Sequence, residues 1–232
     1  METQTFLVID SSTVGQTVGR TRLRNASCEQ IRGLADGYPV GLYMNDSNNQ
    51  ATKIWSRKIS LKALCSLSPA IARALSEHNS TRKTSITDLL LPAALAEAYQ
   101  KVFEWFQRVL TSEALVPLAR LESFAIYKYY HILIVSTILE IDYITNDLNK
   151  RYKRMLTVTP PRYFSIDPDT IRQAYRNQDT NETLRNDIIG AVAFAQSNNL
   201  LKYCKYKELN DLKKELPDFG KDLDACIKGL EL

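Results

Sequence analysis

The stretch from Ile59 to Leu110 decides the fold: ISLKALCSLSPAIARAL (Ile59–Leu75), a polar link, TSITDLLLP (Thr84–Pro92), then a long run ending VFEWFQRVL (Val102–Leu110). Ser60 stands as an N-cap before an apolar face of Leu61, Leu64, Cys65 and Leu67. Ser68-Pro69 restarts the chain as a second helix with proline at its first position, where the missing N–H is not needed. Ile71, Ala74 and Leu75 continue the inward face, and Glu77 to Lys83 reads as a polar loop. Ser85 to Leu91 reads as a strand closed by Pro92. From Ala93 onward, Leu95, Ala98, Tyr99, Val102, Phe103, Phe106, Val109 and Leu110 recur at helical spacing. That pattern predicts a helix of about four to five turns, with Glu97, Lys101, Glu104 and Arg108 on its wet side. Trp105 lies off the main stripe.

Upstream, Thr5 to Asp10 (TFLVID) is a short β-like run. Ser11 to Asp36 reads as a loose arm with one helical turn near Cys28 to Leu34. Gly15 and Gly19 do not make a phosphate loop, because no GK[ST] follows and no strong strand leads into a helix. Arg20, Arg22 and Arg24 read as a solvated arm rather than a nucleic-acid contact. Tyr38 to Met44 is a strand, Asn45 to Asn49 a polar turn, and Thr52 to Ile59 the returning strand of a hairpin. Ile54 and Trp55 are adjacent apolar residues in an otherwise alternating strand, so the inward face there stays open.

Downstream, Thr111 to Arg120 reads as a loop, and Leu121 to Ser136 and Ile138 to Leu148 as two largely buried helices. Lys150 to Arg154 reads as a basic helix end complementing the helix dipole. Pro160-Pro161 marks a boundary. Asp167-Pro168 starts a helix carrying Ile171, Ala174 and Tyr175, and Asp179 with Glu182 forms a capping-box pattern for the next, which carries Leu184, Ile188, Val192 and Ala195. Tyr203 to Lys214 reads as a basic, polar stretch with a few anchors. Leu216-Pro217 opens a last helix with Phe219, Leu223, Cys226 and Ile227 inward.

Composition narrows the classes. A chain of 232 residues with 44% hydrophobic and 24% charged residues folds rather than stays disordered. Only 8 Gly and 8 Pro argue against an all-β sandwich, and a net charge of +4 is too mild to argue for nucleic acid. Cys28, Cys65, Cys204 and Cys226 form no CxxC pair, so no metal site is expected, and Cys65 reads as a buried reduced thiol. The N-terminus lacks the basic and apolar regions of a signal peptide. Lys128, His131, Glu140 and Asp142 interrupt the most apolar stretch, so no membrane span is expected and the chain reads as intracellular, cytoplasmic or nuclear. No GxSxG, HExxH or Gly-rich phosphate loop is present in the sequence, so the chain reads as a non-enzyme without a cofactor.

The order strand, helix, helix, strand, helix, helix, helix, with these motifs, resembles the BTB/POZ fold in the divergent form common in filamentous fungi. Ile59 to Pro69 resembles the family's F-x-V-H-K-x-L-L-C-x-x-S-P segment. Leu89-Leu90-Leu91-Pro92 and Val102-Phe103-Glu104-Trp105-Phe106 resemble its I-x-L-P and F-x-x-F-x-x-W-L-Y markers, and Leu121 to Ile134 echoes the helix that follows. Ile171, Tyr175, Thr180, Leu184 and Arg185 match a helical tail frequent in the fungal proteins, and Leu216-Pro217-Asp218-Phe219 with Leu223 its closing helix. The chain departs where the family's His is Ser60, the next Lys is Leu61, and the Tyr-Thr-Gly after the Trp is Gln107-Arg108-Val109.

The resemblance implies an α+β, mostly helical fold: a small, mainly antiparallel sheet flanked by helices, plus a C-terminal helical extension. The expected division is an N-terminal arm at 1–37, ordered alone or by a partner, a BTB/POZ-like domain at 38–156 and the extension at 157–232 packed on it. The implied function is non-enzymatic: a protein–protein interaction module acting as an oligomerising scaffold or structural subunit, homo- or hetero-oligomeric. A substrate adaptor of a cullin-type ubiquitin ligase is the alternative, with Val102-Phe103-Glu104 echoing a hydrophobic-x-acidic pattern of cullin binders. A chromatin or nucleic-acid-associated regulator, contacting through GRTRLR or KYCKYK, ranks below both. Interface residues are expected at Phe6 and Val8, on a strand that pairs with a sheet edge in the same chain or a partner, and at Glu104, Trp105 and Phe106. The competing reading makes Phe106 core and Trp105 half-buried.

Overall fold

Two β-prone runs, Pro39–Asn45 and Ala51–Ser60, pair with each other, the second at an edge of the sheet. In the computed structural model, which describes residues 6–8, 27–45, 50–81, 88–92, 94–118, 126–157, 168–176, 182–201 and 203–230, β2 (Pro39–Asn45) and β3 (Ala51–Ser60) pair antiparallel. β1 (Phe6–Val8) and β4 (Asp88–Leu91) complete a four-stranded sheet in the order β1-β4-β2-β3. β4 lies parallel to both β1 and β2. The sheet is therefore mixed, which corrects the expectation of a mainly antiparallel one. Two helices lead from β3 to β4, which runs opposite to β3 and therefore along its sheet neighbour β2, itself antiparallel to β3.

The register of β2 on β3 shifts twice, between Val40 and Leu42 and between Leu42 and Tyr43. Leu42 faces Trp55 while Tyr43 faces Lys53, so Ile54 is the extra residue of a bulge. The bulge resolves the ambiguity of Ile54 and Trp55: both adjacent apolar residues can face the protein, Ile54 buried and Trp55 half-buried.

α1 (Cys28–Arg32) starts with a complete capping box between Ser27 and Gln30 and buries Ile31. Ser60 caps α2 (Leu61–Leu67) by accepting from the Ala63 N–H at 3.3 Å, as its sequence position predicts. Ser68 separates α2 from α3 (Pro69–Thr81). Its buried hydroxyl accepts from the Ile71 N–H at 3.3 Å and donates to the Leu139 carbonyl at 2.6 Å. α3 runs to Thr81, through residues that sequence reading assigned to a loop. Two close approaches demand glycine. A Cβ on Gly37 would lie 2.0 Å from Ser60 Oγ and 2.7 Å from Lys62 Cβ, and one on Gly41 would lie 2.2 Å from Oδ1 of Asp88, its β4 neighbour.

α4 (Ala96–Ser112) buries Ala98, Tyr99, Val102, Phe103, Trp105, Phe106 and Val109. With Val40, Leu42, Ile59, Leu64, Leu67, Ile71 and Leu89 they form a core whose members are each at most 2% exposed. Each large apolar side chain buried this way contributes about 1.5–3 kcal/mol. α5 (Ile126–Ile138) and α6 (Asp142–Leu156) follow, joined by a turn at Leu139 to Ile141. α6 runs through Lys150 to Arg154 and carries Lys153 and Arg154 in its last turn, the basic helix end read from the sequence.

The chain divides into two compact units, one of residues 1–121 and 131–148, the other of 122–130 and 149–232. The division passes through α5 and α6. In the second unit, α7 (Pro168–Arg176), α8 (Glu182–Ser197), α9 (Tyr203–Glu215) and α10 (Pro217–Leu230) are all helical. α9 lies where only a polar stretch with anchors was expected. Its Leu209 and Leu212 are buried. Tyr175 and Phe219 meet edge to face at 5.6 Å between ring centres, and the Arg185 guanidinium lies 5.7 Å from the Tyr175 ring centre. Tyr175 donates to Asp222 and Tyr152 to Asp187, each at 2.8 Å. Among the described residues no helix is long and apolar enough to cross a membrane.

Candidate functional site

The residues singled out in the sequence do not gather at one surface. Phe6 and Val8 belong to β1, where Phe6 pairs with Asp88 and Val8 with Leu90. The strand is thus taken up by a sheet edge of the same chain, one of the two arrangements expected for it. Trp105 and Phe106 are core residues, 1% and 0% exposed, which corrects their assignment as surface anchors. Trp105 stacks on Tyr143 at 6.1 Å and tilts against Phe106 at 5.4 Å, and its indole N–H donates to the Val116 carbonyl at 2.6 Å. The reason is that α4 is covered on more than one side, so a residue off its main stripe is still enclosed. Of the three α4 residues in this group Glu104 alone reaches solvent, where its carboxylate accepts from Lys101 at 2.8 Å. Val102 and Phe103 are fully buried, so the hydrophobic-x-acidic triplet offers only Glu104 to a partner.

Glu104 borders an open cleft of about 440 Å³ lined by Lys53, Ile54 and Trp55 of β3 and Gln100 and Glu104 of α4. β3 is the terminal strand in the sheet order, so the cleft lies at a sheet edge. The Trp55 ring packs on Phe103 at 6.1 Å, and its indole N–H has no acceptor among the described residues. A buried donor left without an acceptor costs about 1–3 kcal/mol. Lys53 is exposed at the rim. The cleft thus offers a cation, an amide and part of an aromatic ring, while the Trp55 indole N–H is buried in its wall. Sequence reading missed it, although two adjacent apolar residues in an alternating strand signalled the bulge that builds its wall.

GRTRLR falls outside the described residues, and Lys205 of KYCKYK is held by Glu208 at 2.5 Å. Among the described residues no group of three or more His, Cys, Asp or Glu side chains could hold a metal ion. Burial pushes the Cys65 thiol up to about 11 and the His131 imidazole down to about 4. Compared with known proteins, the chain matches no family model, no curated protein and no solved structure.

Proposed function

We propose that the chain is a non-enzymatic protein–protein interaction module of the BTB/POZ type, serving as an oligomerising scaffold or structural subunit in the cytoplasm or nucleus. The observation that carries this reading is the coincidence of motif and packing. Many of the residues on which the resemblance rests help build the two cores. Leu64, Leu67, Ser68, Leu89, Phe103, Trp105 and Phe106 are buried in the first unit. In the second, Ile171, Tyr175, Leu184, Phe219 and Leu223 are buried, with Arg185 over the Tyr175 ring. The strand–helix–hairpin–helix–helix–strand–helix order supports the same reading.

A structural subunit ranks above a cullin adaptor because burial of Val102 and Phe103 removes the apolar half of the one sequence feature favouring a cullin. Sedimentation velocity of the purified chain over a wide micromolar range tests the proposal. A dimer or larger species, or a defined complex with a co-purified partner, is expected. A monomer at every concentration that also brings down no stoichiometric partner would overturn it.

A further inference from the structure

We propose that the cleft between β3 and α4 docks an acidic, extended segment of a partner protein. The inference rests on the reading of the chain as an interaction module and names the surface and chemistry of one partner. β3 ends the sheet, and among the described residues no strand pairs with its outer side. An extended segment laid there meets free backbone groups on one side and α4 on the other. The bulge at Ile54 interrupts a regular ladder, which blunts indiscriminate edge pairing and leaves more of the recognition to side chains.

Charge selects the occupant. On the β3 side of the cleft Lys53 is the one charged residue, and it is exposed. Glu104, the one acid at the cleft, is already engaged by Lys101. A second copy of β3 would set cations against cations and is disfavoured. An acidic segment meets Lys53 with a carboxylate, and its backbone carbonyls offer acceptors to the Gln100 amide and, after a turn of the ring, to the Trp55 indole N–H. An apolar side chain of the segment covers the exposed part of Trp55.

The test uses the full chain and two labelled short peptides, one alternating Glu with Val and one alternating Lys with Val. Fluorescence anisotropy reads affinity, and hydrogen exchange locates the footprint. The Glu peptide is expected to bind with salt-sensitive affinity and to protect amides at Lys53–Trp55 and Gln100–Glu104, and the Lys peptide to bind at least about tenfold more weakly. Lys53→Glu, at an exposed position, is expected to invert that preference, and Trp55→Phe to weaken the Glu peptide several-fold. Equal binding of both peptides, an unchanged preference in Lys53→Glu, or protection elsewhere would overturn the proposal. So would a dimer abolished by Lys53→Glu without peptide binding, which would assign the cleft to a second copy. Loss of this docking while the sedimenting assembly persists leaves the module reading intact. Peptide binding by a chain that forms no assembly leaves the docking intact and removes the oligomerising scaffold.

Discussion

Glu113 and Glu140 stand at helix ends in the left-handed region, at φ 49° and 54°, where glycine is the usual choice. Each holds an arginine from an earlier helix through two hydrogen bonds: Arg32 on Glu113, Arg73 on Glu140. The Arg73 pair is the more enclosed, with side chains 18% and 16% exposed. The carboxylate contact therefore offsets backbone strain at a turn. Glu140→Ala loses the ion pair and keeps the strain, whereas Glu140→Gly loses the pair and relieves the strain. Alanine is expected to be the more destabilising by about 1 kcal/mol, read from urea midpoints. His131 supplies a pH dependence. Its folded pKa, about 4 because of burial, lies below the ordinary 6.5, so the folded state resists protonation. Its contribution is fully present above pH 6.5 and is lost as pH falls from 6.5 toward 4, a change of roughly 3 kcal/mol. His131→Gln is expected to flatten the stability profile between pH 6.5 and 5. Below that window the depressed carboxyls of Glu113, Glu215 and Asp224 add their own acid loss, so the upper part of the window isolates the histidine. The raised thiol of Cys65 resists alkylation at pH 8 while exposed Cys28 reacts, which peptide mapping after brief iodoacetamide treatment checks.

Among the elements, β2 depends on a glycine that only a neighbouring strand explains. Gly41→Ala forces the Asp88 carboxylate out of its place over β2. A loss of about 1–3 kcal/mol is expected, with faster amide exchange in β2 and β4; unchanged exchange in both strands would contradict that packing. The helices of the core were legible because their apolar spacing is dense: α2 and α3 begin at the Ser60 cap and at Pro69 as read, and α4 begins at Ala96 within the run read from Ala93. α9 was not, because its buried anchors are sparse, and helix-forming Lys, Glu and Leu carry it instead of a continuous stripe. The parallel pairing of β4 and the bulge at Ile54 were not legible either. Both are set by partners distant in sequence, and an alternation pattern reports only which residues share a face. The same limit applies to Trp105. Its position off the α4 stripe leaves open whether it covers a neighbouring helix or faces a partner, and only Tyr143, brought in by α6, shows that it does the first.

For the whole molecule, the proposed role as an interaction module makes one demand: the chain works in a defined assembly. Many of the residues on which the resemblance rests lie in its two cores, and the cleft at the β3 edge is the surface proposed for a partner. The most direct measurement is purification of the tagged chain from its native cell at natural abundance, with quantitative mass spectrometry and mass photometry of the eluate. A fixed stoichiometric partner set, or a homo-oligomer of one size, is expected; a cullin at stoichiometric level would make the chain an adaptor rather than a structural subunit. Recovery of the chain as a monomer free of stoichiometric partners would contradict the central claim.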